Sequence, residues 1–327
     1  MVRSKAILLC MATALTSMFS TTGYTQQPEN CSAQSRYTIL VHGGTVMDEA
    51  QVTDAQRALI RSVVTAAQSG LAAGAHSLDV VVNAIVTLEN SGLLDAGKGS
   101  FRNTAGFAET DASLMEGHTG RVGAVAAMQR LKNPIIAARM VMEDTPHVFF
   151  VGPTGEATLI DLGAETVEDP STYFVPFDEA QGTISNAGPV GTVGVVALDS
   201  CGNLAAGTST GGYRGKLPGR VGDSPIIGAS TFANDRFALS ATGRGENFIR
   251  RSVTLDIAKR SEYQGIPLQE AADYVVHRLL GDVDQIDGAI IAIGRDGEIV
   301  MSAANVAGEL HGYASESLSV TVGVQLP

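Results

Sequence analysis

One junction limits the folds open to this chain. Residues 161–189 are acidic and polar without sustained periodicity, and they carry Pro170, Pro176, Gly182, Gly188 and Pro189, the composition of a mobile linker or an exposed loop. Directly after them comes Val193-Gly194-Val195-Val196-Ala197-Leu198, an unbroken apolar run of strand length, as expected of a strand buried on both faces. The turn at Cys201-Gly202-Asn203 and the run 204–208 extend it into a β-hairpin at the core. Thr192 puts a hydroxyl at the boundary between the two. Taken alone, it is an ordinary β-branched residue starting a strand.

The rest of the chain supplies what covers that strand. Residues 37–41 form a short β-branched run ending at the glycine turn His42-Gly43-Gly44. Apolar residues recur at helical spacing over 54–73 (Leu59, Ile60, Val63, Val64, Ala67) and again over 77–88 (Val80, Val81, Ala84, Ile85, Leu88), with Ser77 as N-cap of the second helix. Residues 94–128 are glycine-rich and strand-like, 133–144 predict a third helix, and 147–152 predict a strand. Beyond the hairpin, helical periodicity returns over 246–259 and 268–280, and strands are expected over 288–293, 298–303 and 318–324. Strands and helices fall in blocks, which predicts an α+β fold of packed sheets under helix layers and not alternating βαβ units.

Charge narrows the partners. With 22 Lys+Arg against 34 Asp+Glu, the net charge of -12 repels phosphate backbones and anionic membranes. The chain has no Trp and only 5% aromatic residues, so it lacks stacking platforms for bases, and nucleic acid is not an expected partner. Arg3 and Lys5 precede the apolar run 6–15, followed by Ser20, Thr21, Thr22 and Gly23. That order is the mark of a secretory signal peptide, and the run is too short for a bilayer core of ~30 Å. Residues 1–25 are read as a signal cleaved between Gly23 and Gln27, leaving a periplasmic or secreted protein with no membrane attachment. Export leaves Cys31 and Cys201 where disulfides persist, and the sequence does not say whether they pair or remain two thiols. Neither has a second Cys or His at ligand spacing, so zinc is not expected.

Several turn-like segments carry chemistry once they are taken together. They are Asp111-Ala112-Ser113-Leu114-Met115-Glu116-Gly117, Thr208-Ser209-Thr210-Gly211-Gly212, Leu217-Pro218-Gly219-Arg220-Val221-Gly222-Asp223-Ser224-Pro225 and Ala241-Thr242-Gly243-Arg244-Gly245-Glu246. With His42-Gly43-Gly44 before them and Thr192 among them, the chain resembles the plant-type isoaspartyl peptidase/L-asparaginase family of N-terminal-nucleophile threonine hydrolases, over nearly all of its mature length. The resemblance implies an αββα sandwich of two stacked sheets between helix layers, in keeping with the block pattern. It also implies self-cleavage. The Thr192 hydroxyl would attack the Gly191 carbonyl, giving an α subunit of residues 26–191 and a β subunit of residues 192–327 within one folded domain. A threonine hydroxyl is a weak nucleophile that needs an adjacent base. The freed α-amine, with a reference pKa of about 7.7–8.0, supplies one, and no His-Asp pair is required.

By position in the family motifs, Thr210 would hydrogen-bond and tune the nucleophile, while Thr242 and the Gly243 N–H would form the oxyanion hole. Arg220 would grip the substrate α-carboxylate and Asp223 its α-ammonium, with Gly245 in the same binding set. Without the threonines, Arg220 and Asp223 would read as a solvated surface ion pair. The substrates implied are L-asparagine and isoaspartyl dipeptides, with no cofactor for catalysis. Residues 88–98 resemble a loop that wraps sodium, or potassium, with the carbonyls of Leu88, Glu89, Ser91, Leu94, Ala96 and Lys98, and they read equally as a helix-ending loop. Two αβ units would form a dimer of heterodimers.

Two departures stand out. The family usually has Asn where this chain has Asp95, near the nucleophile, and an added negative charge there raises the Thr192 amine pKa or alters substrate preference. Thr45 and Val46 replace the usual small pair after the glycine turn. Two rivals fit less well. Glycosylasparaginases have Asp before the threonine and Asn-Gly where Gly211-Gly212 stands. Gly92-Leu93-Leu94-Asp95-Ala96-Gly97-Lys98-Gly99 nearly spells a phosphate-cradling loop, but Gly99 stands where Ser or Thr is needed and the segment follows a helix.

Overall fold

The computed structural model describes residues 36–180 and 191–324; the signal reading, Cys31 and the end of the polar segment lie outside them. The strands are β1 (Thr38–Val46), β2 (Thr110–Glu116), β3 (Val122–Met128), β4 (Phe149–Val151), β5 (Val193–Leu198), β6 (Leu204–Thr210), β7 (Phe232–Ala233), β8 (Phe237–Gly243), β9 (Gly288–Gly294), β10 (Ile299–Ala304), β11 (Gly308–Ser315) and β12 (Thr321–Gly323). The helices are α1 (Asp54–Ala72), α2 (Ser77–Ser91), α3 (Pro134–Asp144), α4 (Gly152–Asp161), α5 (Pro170–Tyr173), α6 (Phe177–Ala180), α7 (Gly245–Arg251), α8 (Val253–Gln264) and α9 (Leu268–Asp273), the last continuing as π-helical turns over Tyr274–Asp284. Among these residues no helix is long and apolar enough to cross a membrane.

β5 explains the architecture. It lies inside an eight-stranded sheet of order β12-β11-β1-β5-β6-β2-β3-β4. Val193, Val195 and Ala197 point to one face and pack with Ile60, Val81 and Ile85 of α1 and α2. Val196 and Leu198 point to the other, against Ala238, Ile291 and Ile293 of a four-stranded sheet of order β10-β9-β8-β7. Both faces of β5 are dry, so its sequence does not alternate. α1, α2 and α3 cover the large sheet, while α8, α9 and the π-helical turns cover the small one. The fold is the expected αββα sandwich, and each fully buried Val, Leu or Ile contributes roughly 1.5–3 kcal/mol to it.

Local chemistry sets the element ends. Thr53 and Gln56 form a capping box on α1. Ser77 is not the N-cap of α2: the helix begins at Ser77, whose N–H donates to Asp199 Oδ2 at 3.0 Å. Asp199 Oδ1 also accepts from the Cys201 and Asn203 N–H groups. One carboxylate thus satisfies an orphan helix donor and the β5–β6 turn together. Cys201, in that turn, is disulfide-bonded.

Two expectations need correction, and one strand was not anticipated. The helical run over 246–259 is two helices, because Ser252 adopts a left-handed φ of 49°. β11 gives no apolar signal, since Glu309 and His311 are among the residues it buries. The polar segment is not free up to residue 180: Phe174 is 1% exposed and packs on Ala108 and Val167, and Arg214 binds Asp178 at 2.6 Å and Glu179 at 3.0 Å.

Candidate active site

Thr192 stands one residue before β5, and its Oγ1 lies 2.9 Å from Oγ1 of Thr210, the last residue of β6. Thr210 Oγ1 accepts from the Gly212 N–H at 2.9 Å and donates to Asp95 Oδ2 at 3.4 Å. Asp95 is held in turn by the Phe101 N–H, which donates to Oδ1 at 2.9 Å. Burial pushes the Asp95 carboxyl up to about 7, opposed by the Phe101 N–H and the charge of Lys216. A methyl at Gly211 would overlap Asp95 and Ser100, so only glycine lets β6 pass this close to the loop.

The glycine turn of β1 meets the same point. Gly44 has a φ of 103°, and a Cβ there would lie 2.7 Å from the Gly191 carbonyl carbon. The turn at 42–45, where the β1–β11 register slips, therefore lies against the residue preceding Thr192.

Two charged residues here escaped the sequence reading. Lys216 is 1% exposed, and its Nζ donates to the Glu109 carbonyl at 2.7 Å. Asp111 faces Thr210 across β2 and β6, and its Oδ1 accepts from the Ala127 N–H at 2.8 Å. Burial raises the Asp111 carboxyl, while Lys216 opposes the shift. In the run Arg214-Gly215-Lys216, Lys216 looks like a solvated turn residue, and only the packed loop reveals otherwise.

Arg220, Asp223 and Gly245 converge as anticipated. A Cβ on Gly245 would lie 2.8 Å from both Arg220 Nη2 and Asp223 Oδ1. The surface-pair reading fails, because Glu246 holds the guanidinium in a fork, at 2.9 Å from Nε and 3.1 Å from Nη2, over the Tyr213 ring. Asp223 is buried, and its Oδ2 has no hydrogen-bond partner. Burial pushes this carboxyl up to about 7, with Arg220 among the groups pulling it back. A buried carboxylate oxygen without a donor is costly unless a cation fills the place. Thr242 and Gly243 end β8 on the facing sheet, and among the described residues no side-chain hydrogen bond joins Thr242 to Thr192 or Thr210.

In the loop after α2, a Cβ on Gly97 would run into the backbone and Cβ of Glu89, and one on Gly99 would overlap the Leu94 carbonyl, so both glycines are required by close packing of this loop on itself. The Glu89 side chain faces away, taking the Ile135 N–H, Ser209 Oγ and Asn133 Nδ2. Among the described residues, no group of three or more His, Cys, Asp or Glu could hold a metal ion.

Comparison with known proteins agrees with this geometry. A family model described as asparaginase matches residues 35–175 and 168–324. The isoaspartyl peptidase of Escherichia coli (strain K12) is 38% identical over 285 residues, covering 80% of this chain and 88% of the relative. An isoaspartyl peptidase/L-asparaginase of Mus musculus is 35% identical over 296 residues, covering 85% and 88%. One of Danio rerio is 32% identical over 263 residues, covering 77% and 84%.

Proposed function

This chain belongs to the asparaginase family, and we propose that it is a self-processing amidohydrolase whose Thr192 cleaves isoaspartyl dipeptides and the side-chain amide of L-asparagine. The observation that carries the reading is the 2.9 Å contact between Thr192 Oγ1 and Thr210 Oγ1, at the boundary of a buried strand and beside Gly191.

The Thr192 hydroxyl first attacks the Gly191 carbonyl, its proton passing to the departing nitrogen as the C–N bond breaks, and water then hydrolyses the resulting Gly191 ester to free both the hydroxyl and the α-amine. The amine then takes the hydroxyl proton as Thr192 attacks the substrate side-chain carbonyl. Thr210 steadies the oxygen during attack. Thr242 and the Gly243 N–H stabilise the developing oxyanion, each such donor being worth ~2.7–4 kcal/mol. Arg220 and the open Oδ2 of Asp223 hold the α-carboxylate and α-ammonium, so the site requires a free aspartyl head group. Ammonia or an amino acid leaves with the proton, and water releases L-aspartate from Thr192.

The carbonyls of Leu88, Glu89, Ser91, Leu94, Ala96 and Lys98 would hold a sodium or potassium ion that stiffens the Asp95 loop and takes no part in the reaction. The leader supports export to the periplasm or beyond, and the family supports a dimer of αβ units.

Intact-mass analysis beside a Thr192→Ala variant tests the reading. The parent should yield a chain beginning at Thr192, while the variant stays whole and loses on the order of 10⁴-fold or more of aspartate release. A variant that still cuts itself, or a parent that is active while uncut, would sink it.

A further inference from the structure

The face of the large sheet that meets the small one is built in rows. Farthest from the nucleophile, Leu40, Val196, Ala206 and Met115 stand side by side on β1, β5, β6 and β2. Two residues along, the same strands place His42, Gly194, Thr208 and Ser113 in register. One further step brings Thr192, Thr210 and Asp111. Successive rows lie roughly 7 Å apart, so the middle row is the floor beneath the nucleophile.

That floor is polar and sealed. His42 Nε2 lies 3.0 Å from Ser240 Oγ of β8, Ser240 Oγ lies 2.7 Å from Thr208 Oγ1, and Thr231 Oγ1 lies 2.6 Å from Thr208 Oγ1. Ser113 Oγ lies 2.8 Å from Thr231 Oγ1 and donates to the Ser224 carbonyl, the residue after Asp223. His42, Ser240, Thr208, Thr231 and Ser113 are all fully buried. A methyl at Gly194 would overlap both His42 Nε2 and Ser240 Oγ, so the imidazole occupies the space that this glycine leaves under β5. The Thr192 backbone acts on the same ring, pulling the His42 pKa back up against burial.

Behind His42, on the side away from Ser240, stands Glu309 of β11. Its Oε1 is 3.7 Å from His42 Nδ1, and both side chains are wholly shielded from solvent. Among the described residues, His42 Nδ1 and both Glu309 oxygens have no hydrogen-bond partner, so 3.7 Å is a close polar contact and not a hydrogen bond. Burial alone pushes the Glu309 carboxyl up to about 8, and burial pulls His42 down to about 3. Both are therefore neutral near pH 7, with the Glu309 carboxyl set against Nδ1. Self-cleavage does not require an acid and an imidazole here, yet burying them uncompensated costs stability. That cost points to a role at the nearest reacting group.

We propose that His42, oriented by Glu309, is the positioning residue for Thr192, holding the start of β5 so that the α-amine and hydroxyl of Thr192 keep their alignment on the carbonyl attacked. The inference rests on Thr192 being the nucleophile. Glu309 acts as a neutral polar neighbour set against Nδ1 at 3.7 Å, so its amide isostere should serve as well. His42 and Glu309 touch neither Arg220 nor Asp223, so substrate affinity should not depend on them.

The test uses the full chain with Glu309→Gln, Glu309→Leu and Ser240→Ala, following self-cleavage by intact mass and hydrolysis of an isoaspartyl dipeptide. Glu309→Leu should slow cutting and lower kcat on the order of tenfold or more, as small misplacements of reacting groups do, with KM within about twofold. Glu309→Gln should stay within about twofold of the parent in both. Ser240→Ala removes one oxygen that supports Nε2, and it decides the matter if the leucine variant does not fold; kcat should fall several-fold at unchanged KM. Parent-like kcat and cutting in Glu309→Leu and Ser240→Ala overturn the inference, as does a Glu309→Gln loss equal to that of Glu309→Leu. If the parent cuts at Thr192 while the variants do not differ from it, only this inference falls. If the parent never cuts, the Thr192 reading falls and takes this one with it.

Discussion

The two faces of the large sheet are built on different terms. The face under α1, α2 and α3 is almost wholly apolar, with Ile39, Val41, Val195, Ala197 and Leu114 packed against Ile60, Val81 and Ile85. The face against the second sheet runs from the apolar Leu40 row, through the His42–Ser113 row, to the row holding Thr192. Dispersion and burial on the first face are not directional, so any well-filled combination of side chains will serve. On the second face each hydroxyl needs a partner at hydrogen-bonding distance, and position is specified atom by atom. Stability therefore concentrates on the helix side of the sheet, and geometric precision on the inner side.

Three substitutions probe that division. The largest expected effect is on the apolar face: Ile85→Ala should cost ~2–5 kcal/mol in unfolding free energy, while kcat per folded molecule stays that of the parent. Chemical denaturation paired with active-site-normalised kinetics checks both, and a fall in kcat would show that the faces are not separable. Thr208→Val keeps the shape of the inner face but removes the hydroxyl between Ser240 and Thr231. It should cost ~1–3 kcal/mol and also lower kcat, because the row beneath Thr192 loses its middle link. Stability lost without any kinetic change would reduce that row to packing.

The smallest effect belongs to Asp95→Asn. The folded carboxyl sits at about 7 against an ordinary value of 3.8, so folding favours its protonated form. The stability this contributes is whole below 3.8 and is lost as pH rises to about 7. Asparagine has no such loss, so the variant should gain stability over the parent as pH rises from about 4 to about 7. Removing the anion also lets the Thr192 amine shed its proton at lower pH, moving the acid limb of kcat/KM down by up to about one pH unit. An unmoved limb would mean that Asp95 is not felt by the amine, whatever its effect on stability.

Much of this was readable beforehand, for reasons that differ by residue. Val193–Leu198 betrayed its double burial through lack of alternation, and the stripes of α1 and α2 betrayed their covered faces, because hydrophobic periodicity is written residue by residue. The ordered motifs around Thr192, Thr210, Arg220, Asp223 and Thr242 pointed to one family. Lys216 and Glu309 gave no warning, and His42 showed only as the start of a glycine turn. A charged residue in a turn or mixed strand looks solvated until other segments close over it, and their contacts span up to hundreds of residues, as between His42 and Glu309. The partner of Arg220 was likewise hidden, since Glu246 lies 26 residues away on a helix of the other sheet layer.

The sequence alone determined the layered α+β class, the hairpin at its centre and the set of hydroxyl, glycine and charged residues that chemistry could use, because composition and periodicity are local properties. The tertiary structure alone decided which of those residues meet. Cross-strand register put Thr192 beside Thr210, placed His42 over Gly194 and left Asp223 Oδ2 open. A strand shows its neighbours which face it turns but not which residue stands opposite, and register is settled only when the sheets pack.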